Sequence, residues 1–462
     1  MNSAGTIAAV FSKSKRKESK VYLGKIQGSF FGKEYLTESE LNHHVHIVGA
    51  SGFGKTVLLS HIIRQRIEQG KGLLFIDLKG DIETITKFKS YAAAVDREND
   101  VSIFSLGHKD ISSTYNLIGN GSATEIRDRI MLSLNWSEEF YKNQAASFLL
   151  RLLIGLCWLR DNRSETLDLS TLYRCLSRQE AIEEACLRVP ESERFARENL
   201  EGVATSARSS DYWNSLQGLR TQLESMVLSD FGPLLATSER AIDMFKVVQN
   251  SGIVFIFLDT RRYGETAKQV GKFILQELKS VSAKVDAEVP KELRKPFSVI
   301  IDEFADLAQE DFISFLDRAR SSRMSIVVAH QELCDLDRIS PEFAGRLMGN
   351  TSTVYAFLQK RAESAEILSG IAGTRSVKKT TERYSRQFFL NIPSGETSVR
   401  ETEEFVIHPN VIKSLNVGTC VCIKKYPISR AFVVNVALDT VDAKSAEAGN
   451  RPKVRLKLTP RI

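Results

Sequence analysis

The sequence predicts an α/β protein: a central, mainly parallel sheet flanked by helices, with an all-α unit inserted into it. Three observations carry this. Short β-branched runs recur along the chain ("VHIVG", "GLLFIDL", "VSIFSL", "GIVFIFLD", "FSVIIDEF", "MSIVVAHQ", "TVYAFLQ"), and helical patterns separate most of them. That is the rhythm of parallel strands joined by crossover helices. Between "VSIFSL" and "GIVFIFLD" the strand signal lapses, and the stretch from Gly119 to Gln249 is rich in Leu, Ala, Arg and Glu at helical spacing. A glycine-rich loop follows the first run.

That loop lies in "HIVGASGFGKTVLLSHII", where Gly49, Gly54, Lys55 and Thr56 fill the pattern G-x-x-x-x-G-K-T. A strand before it and an amphipathic segment after it complete the context. Gly49, Ala50, Ser51, Gly52, Phe53, Gly54, Lys55 and Thr56 are thus the candidate nucleotide cradle. Backbone N–H groups close around phosphate oxygens at the positive end of the following helix. Lys55 is expected to reach the β- and γ-phosphates, and Thr56 to offer its hydroxyl to Mg²⁺.

A phosphate loop needs an acid at the end of another strand. "FSVIIDEFADL" supplies Asp302, expected to hold Mg²⁺ through water, and Glu303, expected to orient and deprotonate the attacking water. The strand "MSIVVAHQ" ends in His330 and Gln331. Gln331 is the candidate for sensing the γ-phosphate, whereas His330 fits simple packing as well. Asp77 and Lys79 in "FIDLKGD" close another strand, where open α/β sheets bind ligands, and border the site without a fixed role. "FLDRARSSRMS" clusters Arg318, Arg320 and Arg323. A cluster leading into a neighbouring strand does not easily reach its own loop, so a finger reaching the adjacent subunit's nucleotide and an ordinary surface helix both stay open. "GTRSVKKTTERYSR" gathers Arg375, Lys378, Lys379, Arg383 and Arg386 around Tyr384. It suits a nucleic-acid backbone and an exposed charged loop equally.

With 462 residues the chain has room for two or three domains and a large core. Its 42% hydrophobic and 26% charged content are those of a globular protein, which excludes a disordered or fibrous chain. A net charge of +6 is too mild to identify a partner. "SKSKRKESK" near the start and "RPKVRLKLTPRI" at the end concentrate the positive charge; each suits phosphate, anionic lipid or a solvated tail. The six cysteines lack metal-ligand spacing and fit buried thiols in a reducing compartment, with Cys420 and Cys422 pointing the same way along a strand. His43, His44 and His46 read as strand-entry residues rather than metal ligands. The most apolar stretch, "SFLLRLLIGLCWLRD", is too short to span a bilayer and is broken by Arg151. A cytoplasmic protein, peripheral to a membrane at most, is expected.

Taken together, "HVHIVGASGFGKTVLL", "LLFIDLKGD", "SVIIDEFADL", "ARSSRMSIVVAHQ" and "ESAEILSGIAGTRSVKKTTE" resemble the TraG/TraD-type coupling proteins of bacterial conjugation and type IV secretion, in order from about residue 40 to 435. The resemblance implies a RecA-like P-loop motor carrying an all-α domain, a homo-hexameric ring, and ATP-driven movement of DNA towards a membrane channel. It places the all-α domain in the helical gap and raises Arg320 above its two neighbours as the trans-acting finger. The expected organisation is a basic segment over 1–35, a motor over 36–118 and 250–440, an all-α domain over 119–249 and a basic tail over 441–462. Expected partners are DNA, single-stranded in the first instance, relaxase or other secretion substrates, and a membrane-anchored channel component. Many family members begin with transmembrane helices; this sequence shows none, which weakens the channel role more than the motor. Two rivals remain: a double-strand DNA pump of FtsK/HerA type, and a nucleotide-gated substrate receptor that turns over slowly.

Overall fold

A computed structural model describes residues 19–238, 241–387 and 390–438, with the side chains of 380–399 outside that description. The basic run from Ser12, apart from Ser19 and Lys20, and the whole C-terminal basic run lie outside the described residues, as do the side chains of Arg383, Tyr384 and Arg386.

The strands are β1 (Lys20–Ile26), β2 (Lys33–Thr37), β3 (Val45–Val48), β4 (Gly72–Asp77), β5 (Val101–Ser105), β6 (Ile253–Phe257), β7 (Phe297–Ile301), β8 (Met324–His330), β9 (Thr353–Ala356), β10 (Thr374–Gln387), β11 (Leu390–Phe405), β12 (Thr419–Lys424) and β13 (Arg430–Val436). Eleven form one sheet in the order β2-β1-β13-β12-β9-β3-β8-β7-β4-β6-β5. From β9 to β5 every pairing is parallel. β12, β13, β1 and β2 extend this sheet antiparallel. The seven β-branched runs are the seven parallel strands. Their apolar character is unbroken because both faces are covered: all of β3, β4, β6, β7, β8 and β9 is buried.

Alternation along a strand sends neighbours to different cores. Leu73 and Phe75 join Leu58, Ile62, Phe88 and Phe255 under the phosphate-loop helix (Lys55–Glu68). Leu74 and Ile76 join the opposite core, which continues without a break through Tyr115 and Phe273 to Ile130, Phe148, Leu172 and Leu200. The helices between residues 123 and 227 therefore share the sheet's own core. Each has a local reason to form. Ser122 and Glu125 make a reciprocal capping box for helix Ala123–Ser133. Asp168 caps helix Leu169–Ser177. Helix Glu139–Arg163 buries Phe148, Leu149, Leu152, Leu153 and Leu156 while Arg151 faces outward. Its Gly155 lets helix Arg194–Ala207 come close, since a Cβ there would lie 2.3 Å from Leu200 Cγ. Among the described residues no helix is long and apolar enough to cross a membrane.

Two segments differ from expectation. β1 and β2 are strands of the main sheet, although their residues read as a basic arm. Val21, Leu23 and Leu36 are buried beneath a surface of lysines, and these short alternations are weak signals beside "SKSKRK". The stretch from Thr374 is no loop but strand β10, paired with β11 as a separate two-stranded ribbon. Arg375 and Lys378 are exposed on it, and Lys379 pairs with Glu404 at 2.7 Å, so acids of β11 offset its positive charge.

The added edge is pinned by buried charge. Lys424 Nζ lies 2.8 Å from Glu34 and 2.9 Å from Glu40 and donates to the Tyr35 carbonyl. The Tyr355 hydroxyl donates to Glu34 at 2.8 Å. Burial pushes the Glu34 carboxyl up, and Lys424 and Tyr355 work against that rise. Removing the ammonium strands two buried carboxylates. Lys424→Met is expected to cost about 3–5 kcal/mol in urea unfolding at neutral pH. A loss under about 1 kcal/mol would mean water reaches the cluster.

A phosphate loop and its facing acids

The parallel strands end in register. Val48 lies opposite His330 and Ala356, Ile301 opposite Val328 and Ile76, and Asp77 opposite Phe257. The residues following each strand therefore emerge along one edge, the usual ligand edge of an open α/β sheet.

The loop is clamped there on both sides. Gly49 N donates to the His330 carbonyl at 3.2 Å, Ala50 N to the Leu358 carbonyl at 2.9 Å, and Phe357 N to the Val48 carbonyl at 2.8 Å. A Cβ on Gly49 would sit 2.4 Å from Phe357 Cβ, so only glycine fits. Gly54 is left-handed (φ 114°) and opens helix Lys55–Glu68 with no side-chain cap, which leaves its first N–H groups aimed at the loop's mouth. Lys55 is buried and donates to the carbonyls of Gly49 (2.6 Å) and Ala50 (3.3 Å). Burial lowers its amine, with Asp302 and Glu303 pulling the other way. Thr56, second in the helix, is exposed, and Phe53 anchors the loop through its carbonyl, which accepts from Gly418 N. A buried cation, free helical amides and a cradle that a Cβ would fill are what a polyphosphate requires.

Asp302 and Glu303 face this loop. Asp302 is 2% exposed, accepts from Glu303 N at 2.9 Å, and has its carboxyl raised by burial despite Lys79. Glu303 is left-handed (φ 52°), and its side chain meets Lys79 Nζ at 3.0 Å and Gln331 Nε2 at 3.4 Å. Asp77 accepts from Lys79 N and Gly80 N, and burial together with nearby Asp302 raises its carboxyl to about 6. Lys79 loses some affinity for its proton through burial, yet Asp302, Glu303 and Asp77 outweigh this and raise its amine overall. Asp77, Asp302 and Glu303 thus surround Lys79, and Asp302 and Glu303 also act on Lys55.

The structure brings Lys55, Asp302, Glu303 and Gln331 together with Asp77 and Lys79. Arg320 is elsewhere. It is exposed at the end of helix Phe312–Ala319, ahead of the start of β8, whereas the loop meets that strand's far end. Arg318 and Arg323 are exposed beside it. The three early histidines do three different jobs: His43 stacks on Tyr426 at 3.9 Å, His44 bonds Leu316 O and Ile326 N, and His46 meets His330. Among the described residues no group of three His, Cys, Asp or Glu is arranged to hold a metal. Sequence reading missed Gln359, buried at the end of β9 with its amide on the Gln331 carbonyl at 3.4 Å, and Glu332, which accepts from Lys360 N at 3.1 Å. The signal for Gln359 was a polar residue closing an apolar strand in "TVYAFLQ".

Residues 296–417 match the family model described as the TraM recognition site of TraD and TraG, and residues 25–128 match that of the helicase HerA-like C-terminal region. The type 4 coupling protein DotL of Legionella pneumophila is 25% identical over 413 residues, covering 76% of this chain and 52% of that protein. An uncharacterized Mycoplasma pneumoniae protein is 40% identical over 57 residues, 12% of this chain and 48% of that one. The chain thus spans about half the length of the curated relatives it matches. Among solved structures, unbound bacterial conjugative coupling protein TrwBdeltaN70 has a TM-score of 0.63 at 16% identity, covering 88% of this chain and 87% of that one. TrwB with ADP and Mg²⁺ has 0.59 at 17%, covering 87% and 86%. VirB4 of Thermoanaerobacter pseudethanolicus has 0.55 at 13%, covering 92% and 98%. The fold is the TrwB-like, RecA-type P-loop architecture: a large, mainly parallel sheet flanked by helices, with further helices attached. Fold, matched segments and curated relative agree: this chain is similar to the TraG/TraD-type coupling proteins of type IV secretion.

Proposed function

We propose that the chain is an Mg²⁺-dependent ATPase whose hydrolysis moves DNA, or a protein carrying DNA, to a type IV secretion channel. The observation that carries this reading is the convergence of the loop cation Lys55 with Asp302, Glu303 and Gln331 at one sheet edge. TrwB, whose fold is similar, has been solved with ADP and Mg²⁺ and with ATP and GTP analogues, which supports a nucleotide at the equivalent edge here.

In this reading the loop amides from Gly49 to Thr56 and the Lys55 ammonium bind the phosphates, and Thr56 and Asp302 hold the metal. Bound ATP with Mg²⁺ supplies a polarised γ-phosphoryl group. Glu303 orients a water and accepts its proton, Lys79 restrains that carboxylate, and Gln331 sits where a γ-phosphate and Glu303 are both within reach. Arg320, remote from its own loop, serves the loop of the next subunit in a homo-hexamer. Relaxase-type substrates and a membrane-anchored channel partner complete the assembly, which places the chain at the cytoplasmic face of the membrane. The HerA-like match over 25–128 favours one rival, a double-strand pump. Stimulation by duplex but not by single strands would select it.

Lys55→Ala is expected to abolish ATP turnover, and Glu303→Gln to keep ATP affinity while losing hydrolysis, because an amide cannot accept the proton. Nucleotide-binding titrations beside phosphate-release assays check both. Wild-type turnover in the first would remove the loop from the site, and lost affinity in the second would make Glu303 structural.

Arg320→Ala should leave ATP binding near normal and lower hydrolysis by on the order of 10³ if the finger acts in trans. Mixing it with Glu303→Gln should restore turnover at interfaces that pair an intact finger with an intact base. Full turnover by a monomer at any concentration would overturn this.

DNA affinity is expected to fall steeply between about 50 and 200 mM salt, since phosphate contacts dominate where no base-reading motif is present. Fluorescence anisotropy at several salt concentrations measures the slope. A shallow slope or strong sequence preference would argue against a translocating pore.

A further inference from the structure

His46 and His330 are both fully buried, and nothing assigned above uses them. Their rings stack with centroids 4.8 Å apart, and their Nε2 atoms lie 2.6 Å apart. One sits in β3, which leads into the phosphate loop. The other ends β8, immediately before Gln331. A buried polar pair is costly unless fully bonded, and two aliphatic residues would pack these strands more simply.

The donors can be ordered from the contacts. His330 Nδ1 lies 3.0 Å from the Glu332 carbonyl, which only accepts, so this nitrogen carries hydrogen. Burial pushes His330 down to about 4 and His46 well below its ordinary value, so both rings are neutral at pH 7. His330 Nε2 is therefore bare and accepts, and His46 Nε2 donates. His46 Nδ1 is left bare against Met348 Sδ at 2.9 Å, a partner with no hydrogen to give. One direction of donation results, from β3 through both rings to the backbone beyond β8.

That direction ends at the site. The His330 carbonyl receives Gly49 N, the Gln331 carbonyl receives Gln359, and the Gln331 amide meets Glu303. We propose that His46 and His330 are a positioning pair: the single proton held between their facing nitrogens fixes where β8 ends against the phosphate loop, and so where Gln331 meets Glu303. Neither ring touches the reacting atoms. The inference rests on the hydrolase reading above for its effect on rate, but not for its proton arrangement.

Two measurements on the full chain test it. NMR of protein labelled with ¹⁵N-histidine should show two rings in opposite tautomers, one with hydrogen on Nδ1 and one on Nε2, neither titrating between about pH 6 and 8. Two Nε2–H tautomers, or titration in that range, would overturn the pair. In steady-state assays with ATP and Mg²⁺, His46→Leu should lower kcat about 10–100-fold with KM within about twofold. His46→Gln, whose amide can donate from the same place, should recover most of that loss. A folded His46→Leu protein with wild-type kcat, or equal losses in both variants, would reduce the pair to packing. If His46→Leu does not fold, the tautomers of the wild-type chain decide. Wild-type protein without turnover, or with turnover that survives Lys55→Ala, would sink the hydrolase reading and leave the tautomer result standing.

Discussion

The site depends on a close approach: the backbone of Gly49 passes between β8 and β9 with no room for a side chain. Phe357 stands where a Cβ would go, and hydrogen bonds from Gly49 and Ala50 tie the loop to the ends of both neighbouring strands. The loop is thereby a rigid part of the sheet edge rather than a connection laid over it. Everything that faces it, from Asp302 on one strand to Gln331 on another, is placed by strand register. Pre-organised amides and a fixed cation need no rearrangement when charge arrives, which is what electrostatic stabilisation of a phosphoryl group demands.

Charge around that loop is balanced locally. Asp77, Asp302 and Glu303 would repel one another in a space with little water, and burial already raises the first two. Lys79 answers all three and Lys55 approaches from the other side. A divalent cation delivered with the nucleotide fits this balance because it offsets the same acids. The left-handed backbone at Glu303 turns its carboxylate towards Lys79 and Gln331 rather than along the strand axis. That strain is local and sits beside the chemistry, as is common at functional sites.

Much of this was legible in the sequence, and the reasons are specific. Strands covered on both faces show as unbroken apolar runs, so β3 to β9 stood out. The loop and the Asp302–Glu303 pair are contiguous motifs, each preceded by the strand its sequence predicts. β1 and β2 were obscured because Lys20, Lys25, Lys33 and Tyr35 face solvent along them and Glu34 interrupts the apolar pattern, and β10 because it has almost no apolar alternation. Gln359 showed only as a polar residue closing an apolar run, and Glu332 carried no signal. Their partners lie 28 residues away in sequence, and only the alignment of strand ends brings them together. His46 was visible as an oddity, but its partner is 284 residues distant.

The uninterrupted core beneath the inserted helices has a mechanical consequence. Leu152, Leu172 and Leu200 belong to the same packed interior as Ile76, Phe104 and Phe273, and hydrogen bonds from Gln269 to Gln222 and from Gln309 to the Leu132 carbonyl tie the two layers further. Close-packed interiors transmit displacement instead of absorbing it. The helices are therefore no lever swinging on a joint; they travel with the sheet as one rigid piece. In the ring proposed above, a displacement arising at the phosphate edge would pass through such a subunit undiminished and be taken up where one copy meets the next.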